Sequence, residues 1–389
     1  MKSLFLLASL FFCVALTSGQ AMYRSFPSEI LGSERNVKIL KPRNYSKNVE
    51  KTYPLIIVLD GDYLFEPVAG MVDYLSYWDQ MPEALVVGIN QRESRWDETA
   101  IDFNKGLPTE QAGKFMGFLM EIKATMEEEF RTAPFTVIVG KDITANLASY
   151  YLMRKDVKID AFIQIEPQYS ELIQNNLVNK LGELDQHQFF YVATAKRDAI
   201  VKDMMDSQAD SLFQTNNKVH VKHDALTDTN KYSVAGQAIP RGLDFIFKEY
   251  QLIDEDVLMK EDLAEEEKFK GKEKTKDMVS VIDRIQSKYD YIREVYGVEM
   301  KLRLVDLVTI ADYVAAKEDW EQLIDIGDMA HKEYPDLLYG RYVEGLGYEG
   351  LGRNSRAVKA FNAAYALEPA VGITKDDVLD KVELLQEKD

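Results

Sequence analysis

Phe135-Thr136-Val137-Ile138-Val139-Gly140-Lys141-Asp142-Ile143-Thr144-Ala145-Asn146-Leu147 is the stretch whose reading decides the fold. An unbroken apolar run ends at a glycine, and a helical pattern over Leu147 to Met153 follows at once. Continuous rather than alternating apolar residues fit a strand covered on both faces. Working outward, similar runs occur at Val37–Leu40, Leu55–Leu59, Leu85–Ile89, Ala161–Ile165, Phe189–Ala193 and Val219–Val221. Helical patterns lie between them. Gln111 to Phe130 carries Phe115, Phe118, Leu119, Ile122 and Met126 at spacings of three and four. Leu172 to Leu184 and Pro240 to Phe247 are further candidates. This alternation predicts an α/β domain with a mostly parallel sheet and helices on both faces.

The pattern stops near Tyr250. Asp254 to Glu267 holds eight acids, and Lys268, Lys270, Lys272, Lys274 and Lys276 follow. Charge segregated in blocks with few large apolar residues reads as a solvated linker or exposed helix. Beyond Asp277 every pattern is helical, with an apolar stripe at Ile282, Ile285, Tyr289, Ile292 and Tyr296. Counted from Leu338, residues Gly345, Tyr348, Ala357, Phe361, Ala364 and Pro369 occupy the small, large and terminating positions of a tetratricopeptide (TPR) repeat. The early tryptophan and leucine positions of that pattern do not match. A weaker echo lies one repeat upstream, at Ala311, Ala330 and Pro335. The expected organisation is therefore a signal peptide over 1–21, an α/β domain over 22–252, a charged linker over 253–276 and a smaller all-α, TPR-like domain over 277–389.

Lys2 followed by the apolar Leu4–Leu16 and the small residues Thr17, Ser18, Gly19 and Ala21 has the form of a cleaved export signal, too short to span a bilayer. Cys13, the single cysteine, lies inside it, so the mature chain is expected to have no disulfide and no thiolate metal ligand. No later apolar run is long enough to cross a membrane. The expected location is the bacterial periplasm or outside the cell. A net charge of -18 argues against nucleic acid and anionic membrane surfaces as partners.

Residues 25–250 resemble the putative esterase family of α/β-hydrolases, which includes ferric-enterobactin esterase and esterase D-like proteins. The resemblance is carried by Tyr53-Pro54-Leu55-Ile56-Ile57-Val58-Leu59-Asp60-Gly61-Asp62, by Met81-Pro82-Glu83-Ala84-Leu85-Val86-Val87-Gly88-Ile89, by Arg95-Trp96-Asp97, by Phe115 to Gly140, and by Ile165-Glu166-Pro167 where the family has Ser-Pro. Some members also carry a C-terminal helical extension. The order of these segments, not any one of them, makes the likeness.

The resemblance implies a catalytic triad built on a G-x-S-x-G elbow, and here it breaks. The elbow reads Gly140-Lys141-Asp142-Ile143-Thr144, so Asp142 stands for the serine and Thr144 for the second glycine. A carboxylate cannot be activated by proton removal as a serine can. Thr144 puts a β-branched side chain where the turn wants none. The family's histidine falls at Lys231, and a protonated lysine cannot accept a proton. Asp198 is the candidate for the remaining acid, or an ordinary loop aspartate. Gly61 and Ile143 fall in the region where the fold forms its oxyanion hole.

Several sharper readings compete. Asp142 could attack carbon directly, with His223 as the alternative base, since His187, His220 and His331 are less well placed. Thr144 or Ser149 could serve as an unrecognised nucleophile, although Ser149 reads as a small packing residue of the helix. Asp142 and Lys231 could form an ion pair in place of the triad. Scattered histidines give no metal-ligand spacing, and no phosphate-cradling or dinucleotide motif is present, so no cofactor and no metal are expected. Tyr63, Tyr74, Tyr77 and Trp78 read as core and rim packing, with an aromatic- or carbohydrate-binding surface as the alternative. The expectation is an exported esterase-like protein that has lost the Ser and His of its triad. It would bind a small molecule in the remnant cleft, or another protein through the helical domain. The alternative is an active hydrolase with a non-standard nucleophile.

Overall fold

The structure, a computed structural model, describes residues 21–195, 201, 216–268 and 279–387. The chain forms two compact units. The first runs to Tyr250 and includes Glu294–Val298; the second comprises Gln251–Arg293 and the chain from Glu299 onward.

The first unit is built on one sheet of β1 (Met22–Ser28), β2 (Ser33–Leu40), β3 (Tyr53–Val58), β4 (Leu85–Ile89), β5 (Thr132–Lys141), β6 (Ala161–Ile165), β7 (Gln188–Thr194) and β8 (Val219–Ala225). Their spatial order is β1-β2-β4-β3-β5-β6-β7-β8. The pairs β1/β2 and β2/β4 are antiparallel, and every later pair is parallel. Each residue of β3, β4, β6 and β7 is buried, which is why these strands appear as unbroken apolar runs. The edge strand β1 is different. It buries only Phe26 and Ser28, alternates in polarity and contains Pro27, which edge position permits.

Helices follow the strands: α1 (Phe65–Tyr77), α2 (Arg95–Glu98), α3 (Glu110–Glu129), α4 (Ile143–Ser149), α5 (Glu171–Gly182) and α6 (Val234–Ile246). All five apolar residues expected on the third of these are buried, and Thr109 caps it by accepting the Ala112 N–H. A short 3-10 turn, Tyr150–Met153, completes the helical segment after the elbow. Pro240 does not open a helix as expected but lies inside α6, which starts at Val234. At the base of the sheet Phe135, Phe189, Phe247 and Tyr296 pack ring against ring, and the Tyr296 hydroxyl donates to Ile246 O at 2.7 Å.

The second unit is helical: α7 (Glu255–Lys268), α8 (Val281–Tyr296), α9 (Leu304–Ala316), α10 (Trp320–Glu333), α11 (Tyr339–Gly350), α12 (Asn354–Tyr365) and α13 (Lys375–Gln386). From α9 onward each helix packs against the next. Of the stretch read as a solvated linker or exposed helix over 253–276, residues 269–276 lie outside the described residues. Residues 255–268 are helical, Leu258 joins the unit's core, and Asp262 pairs with Arg284 (2.6 Å) and with Lys317. Gly345 lies where a Cβ would come within 2.6 Å of the Phe361 ring. Helices α11 and α12 therefore approach closely at this point. No helix among the described residues is long and apolar enough to cross a membrane.

Candidate functional site at the strand ends

Strands β3, β5, β6 and β7 end side by side, and the chain turns sharply after β5. Asp142 sits at that turn with φ +54° and ψ -116°, a conformation an L-residue adopts only under constraint. The constraint is visible. Asp142 N donates to Ile165 O at 3.0 Å, and Asp142 O accepts from Gln168 N at 3.1 Å. A Cβ on Gly140 would come within 2.9 Å of Ala145 N, so only glycine lets the chain fold back this closely. The strained strand-to-helix elbow is therefore intact although no serine occupies it.

The Asp142 carboxylate does not meet Lys231. Its Oδ2 lies 2.7 Å from Lys141 Nζ and 3.9 Å from the Arg95 guanidinium. Lys231 lies instead with its ammonium 4.9 Å from the ring centre of the exposed Tyr232. Among the described residues no ion pair joins Asp142 and Lys231, so the pair considered from sequence does not form.

Thr144 is no obstacle to the elbow. It lies within α4, is fully buried and serves as a hub. Its hydroxyl donates to Asp60 Oδ2 at 2.8 Å, with Lys141 O equally near, and accepts the Lys141 N–H at 2.9 Å. Asp60, itself at φ +55°, receives a two-pronged contact from Arg95, Nε to Oδ1 at 2.6 Å and Nη2 to Oδ2 at 3.0 Å. Arg95 Nη2 also donates to Lys141 O at 3.0 Å, and Tyr63 Oη to Asp60 Oδ2 at 3.0 Å. Burial works against the Arg95 cation, but Asp60 outweighs it and holds the guanidinium above its ordinary pKa. Burial, then the Asp60 charge, push the Tyr63 phenol well up. The acidic turn Asp60-Gly61-Asp62 thus anchors the elbow, and Asp62 Oδ2 accepts the N–H groups of Gln91 (2.6 Å) and Arg92 (2.9 Å). Sequence reasoning missed Asp60, Asp62 and Arg95 as partners of the elbow. The acidic turn at Asp60-Gly61-Asp62 and the Arg95-Trp96-Asp97 segment were their visible signals.

Gly61, expected in the strand-end turn where the fold forms its oxyanion hole, donates its N–H to Ile89 O at 2.7 Å. Ile143 opens α4, so its N–H has no intrahelical acceptor and stays aimed out of the helix end. Ser149 is buried, its hydroxyl held by Ala145 O (3.1 Å) and Gln164 Oε1 (3.2 Å). His223 lies on β8 with Nε2 2.9 Å from Thr194 Oγ1. Asp198 and Cys13 lie outside the described residues.

Beside the elbow a cleft of about 600 Å³ opens between Glu166, Thr194, Ala195, Asn230, Lys231 and Tyr232. Glu166, where the family has serine, holds φ +49° and accepts the Ala195 N–H, bracing the cleft floor across β6 and β7.

Residues 28–154 match the family model Esterase, described as putative esterase. The first unit has an esterase-like α/β-hydrolase fold. The chain is similar to the crystal structure of an uncharacterised protein from Capnocytophaga ochracea DSM 7271, with TM-score 0.75 and 21% identity over 95% of this chain and 100% of that one. It is also similar to an IroE-like serine hydrolase from Shewanella oneidensis, with TM-score 0.58 and 17% identity over 80% of this chain and 99% of that one. No curated protein matches. The esterase-like sheet is the expected one. Of the aromatic residues after its first long strand, Tyr74, Tyr77 and Trp78 are exposed, with Tyr77 and Trp78 edge to face at 5.1 Å, and Tyr63 is half-exposed with its hydroxyl turned in to Asp60.

Proposed function

We propose that this esterase-like unit has lost its hydrolytic chemistry and that the protein is an exported binding or scaffold protein. Its cleft would receive a small molecule, and its helical unit, TPR-like in the spacing of Gly345 and Phe361, would meet a partner protein. The observation that carries the reading is Asp142. It holds the strained elbow position, yet presents a carboxylate paired with Lys141 where the fold's chemistry needs a nucleophile with a removable proton. The nearby hydroxyls offer no substitute, since Thr144 is bound into the Asp60 network and Ser149 into its own helix. Lys231 at the base position supplies a cation, not an acceptor. Hydrolysis of short p-nitrophenyl esters by the wild type, by Asp142→Ala and by Asp142→Ser/Lys231→His tests the proposal. An inert wild type supports it. Wild-type turnover that Asp142→Ala abolishes would overturn it in favour of an aspartate nucleophile.

A further inference from the structure

The helical unit carries a second cleft, of about 430 Å³, between α11 and α12. Its walls are Arg341, Glu344, Tyr348, Arg356 and Lys359, and its floor includes Ala360. In the repeat pattern counted from Leu338, the fourth and seventh positions belong to tryptophan and leucine, large side chains that fill the space beside the second helix. Here those positions are Arg341 and Glu344, which pair with each other at 2.6 Å. Replacing a packed apolar pair by a surface ion pair leaves the space open. The opening is charged in one sense: three cations face it against one carboxylate, and that carboxylate is already engaged by Arg341. Arg356 and Lys359 are exposed, and among the described residues neither has a carboxylate within ion-pair distance. Arg356 lies with its guanidinium 5.8 Å from the Tyr348 ring centre, within cation–π range. Such a basic site is unusual on a chain of net charge -18.

We infer that this cleft binds an acidic segment of a partner protein, whose Asp or Glu side chains would pair with Arg356 and Lys359 while Tyr348 and Ala360 take the intervening aliphatic surface. The inference deepens the partner-binding reading of the helical unit and rests on it. It is independent of whether Asp142 is inert, because ester hydrolysis reads only that residue and the binding assay below reads only this cleft.

Fluorescein-labelled hexaglutamate is titrated with the full mature chain at low salt, and anisotropy is followed. Saturable binding that added salt weakens is expected. Arg356→Ala/Lys359→Ala should weaken it at least about tenfold. Both residues are exposed, so this variant keeps its fold. Arg341→Trp/Glu344→Leu restores the apolar pair, fills the cleft and should also abolish binding while circular dichroism stays unchanged. Absence of binding by the wild type, equal binding of neutral hexaglutamine, or binding retained by either double variant would overturn the inference.

Discussion

Thr144 donates its hydroxyl to Asp60 across the ends of two neighbouring strands, 2.8 Å apart and out of contact with water. The residue that spoils the elbow motif on paper is thus the one that ties the elbow to β3. Replacing it with valine keeps the shape and removes the hydroxyl, leaving the buried Lys141 N–H short of a partner and Asp60 Oδ2 with only Arg95 and Tyr63 as donors. Thr144→Val should cost the first unit about 1–3 kcal/mol, the penalty for a stranded buried polar group. Thr144→Ser should recover most of it. Urea unfolding followed by tyrosine and tryptophan fluorescence measures both, and equal stability of the valine variant would remove Thr144 from the framework.

Asp142 pays backbone strain for its position. A non-glycine residue at such angles costs about 1–3 kcal/mol, and glycine does not. Against this stands a partly exposed contact with Lys141, worth at most about 1 kcal/mol. Asp142→Gly should therefore stabilise the first unit by roughly 1 kcal/mol, the signature of a position kept for something other than stability. A lower midpoint in denaturant would mean that the Lys141 and Arg95 contacts outweigh the strain.

The same elbow predicts what a rebuilt site can do. Asp142→Ser/Lys231→His places a serine and a histidine at the two positions that the family resemblance assigns to the triad. Gly61 N–H remains committed to Ile89 O, so the rebuilt site lacks an oxyanion donor there. Ester hydrolysis should rise about tenfold over the wild type, short of the roughly hundredfold that a well-placed general base contributes. No rise at all would show that the altered surroundings, and not the two side chains alone, block the chemistry.

His220 stacks on Phe189 at 4.7 Å and beside His187 at 5.9 Å. Burial, then the charge of His187, hold its pKa below the ordinary 6.5, with Glu249 opposing. His187 is held down by burial and then by Lys218 and Lys158. Both rings therefore take up protons more readily in the unfolded chain. Their contribution to stability is complete above pH 6.5 and is lost as pH falls through the depressed folded values. The unfolding midpoint of the first unit should drop between pH 7 and pH 5. His220→Phe keeps the stacked ring and removes a buried ring nitrogen, Nε2, that lacks a hydrogen-bond partner. It should flatten that slope, and an unchanged slope would assign the acid loss to other groups.

Much of this architecture was legible because of burial. Strands β3 to β7, covered on both faces, leave apolar runs such as Leu85–Ile89 that need no partner to be recognised. The rest was hidden for identifiable reasons. The edge strand β1 buries two residues and contains Pro27, so its run has no contrast. Helix α7 lacks an apolar stripe, and Asp262 is held by Arg284 and Lys317 from distant positions in the chain. At the site, chain order pointed to Asp142, which the structure puts at the positive-φ turn after β5. It could not tell that the carboxylate turns to its neighbour Lys141, or that Asp60 reaches Thr144, because those are choices of side-chain direction. Only the departure from glycine at position 144 was visible, not the hydrogen bonds that compensate for it.

In the helical unit Gly345 faces Phe361 so closely that an added methyl group would lie 2.6 Å from the ring. Alanine in a helix is otherwise favoured over glycine by about 1 kcal/mol. The two effects oppose each other, and overpacking of this kind costs roughly 1–3 kcal/mol. Gly345→Ala should therefore destabilise the second unit, because Phe361 is fully buried and has nowhere to withdraw. Phe361→Leu alone should also destabilise it, through lost volume. The double variant, in which the smaller leucine makes room for the methyl group, should be more stable than the sum of the two losses predicts. Such a non-additive cycle in urea unfolding would show that the pair is matched in size. Simple additivity would mean that α11 and α12 shift apart to relieve the clash, and would remove this contact as the reason for glycine at position 345.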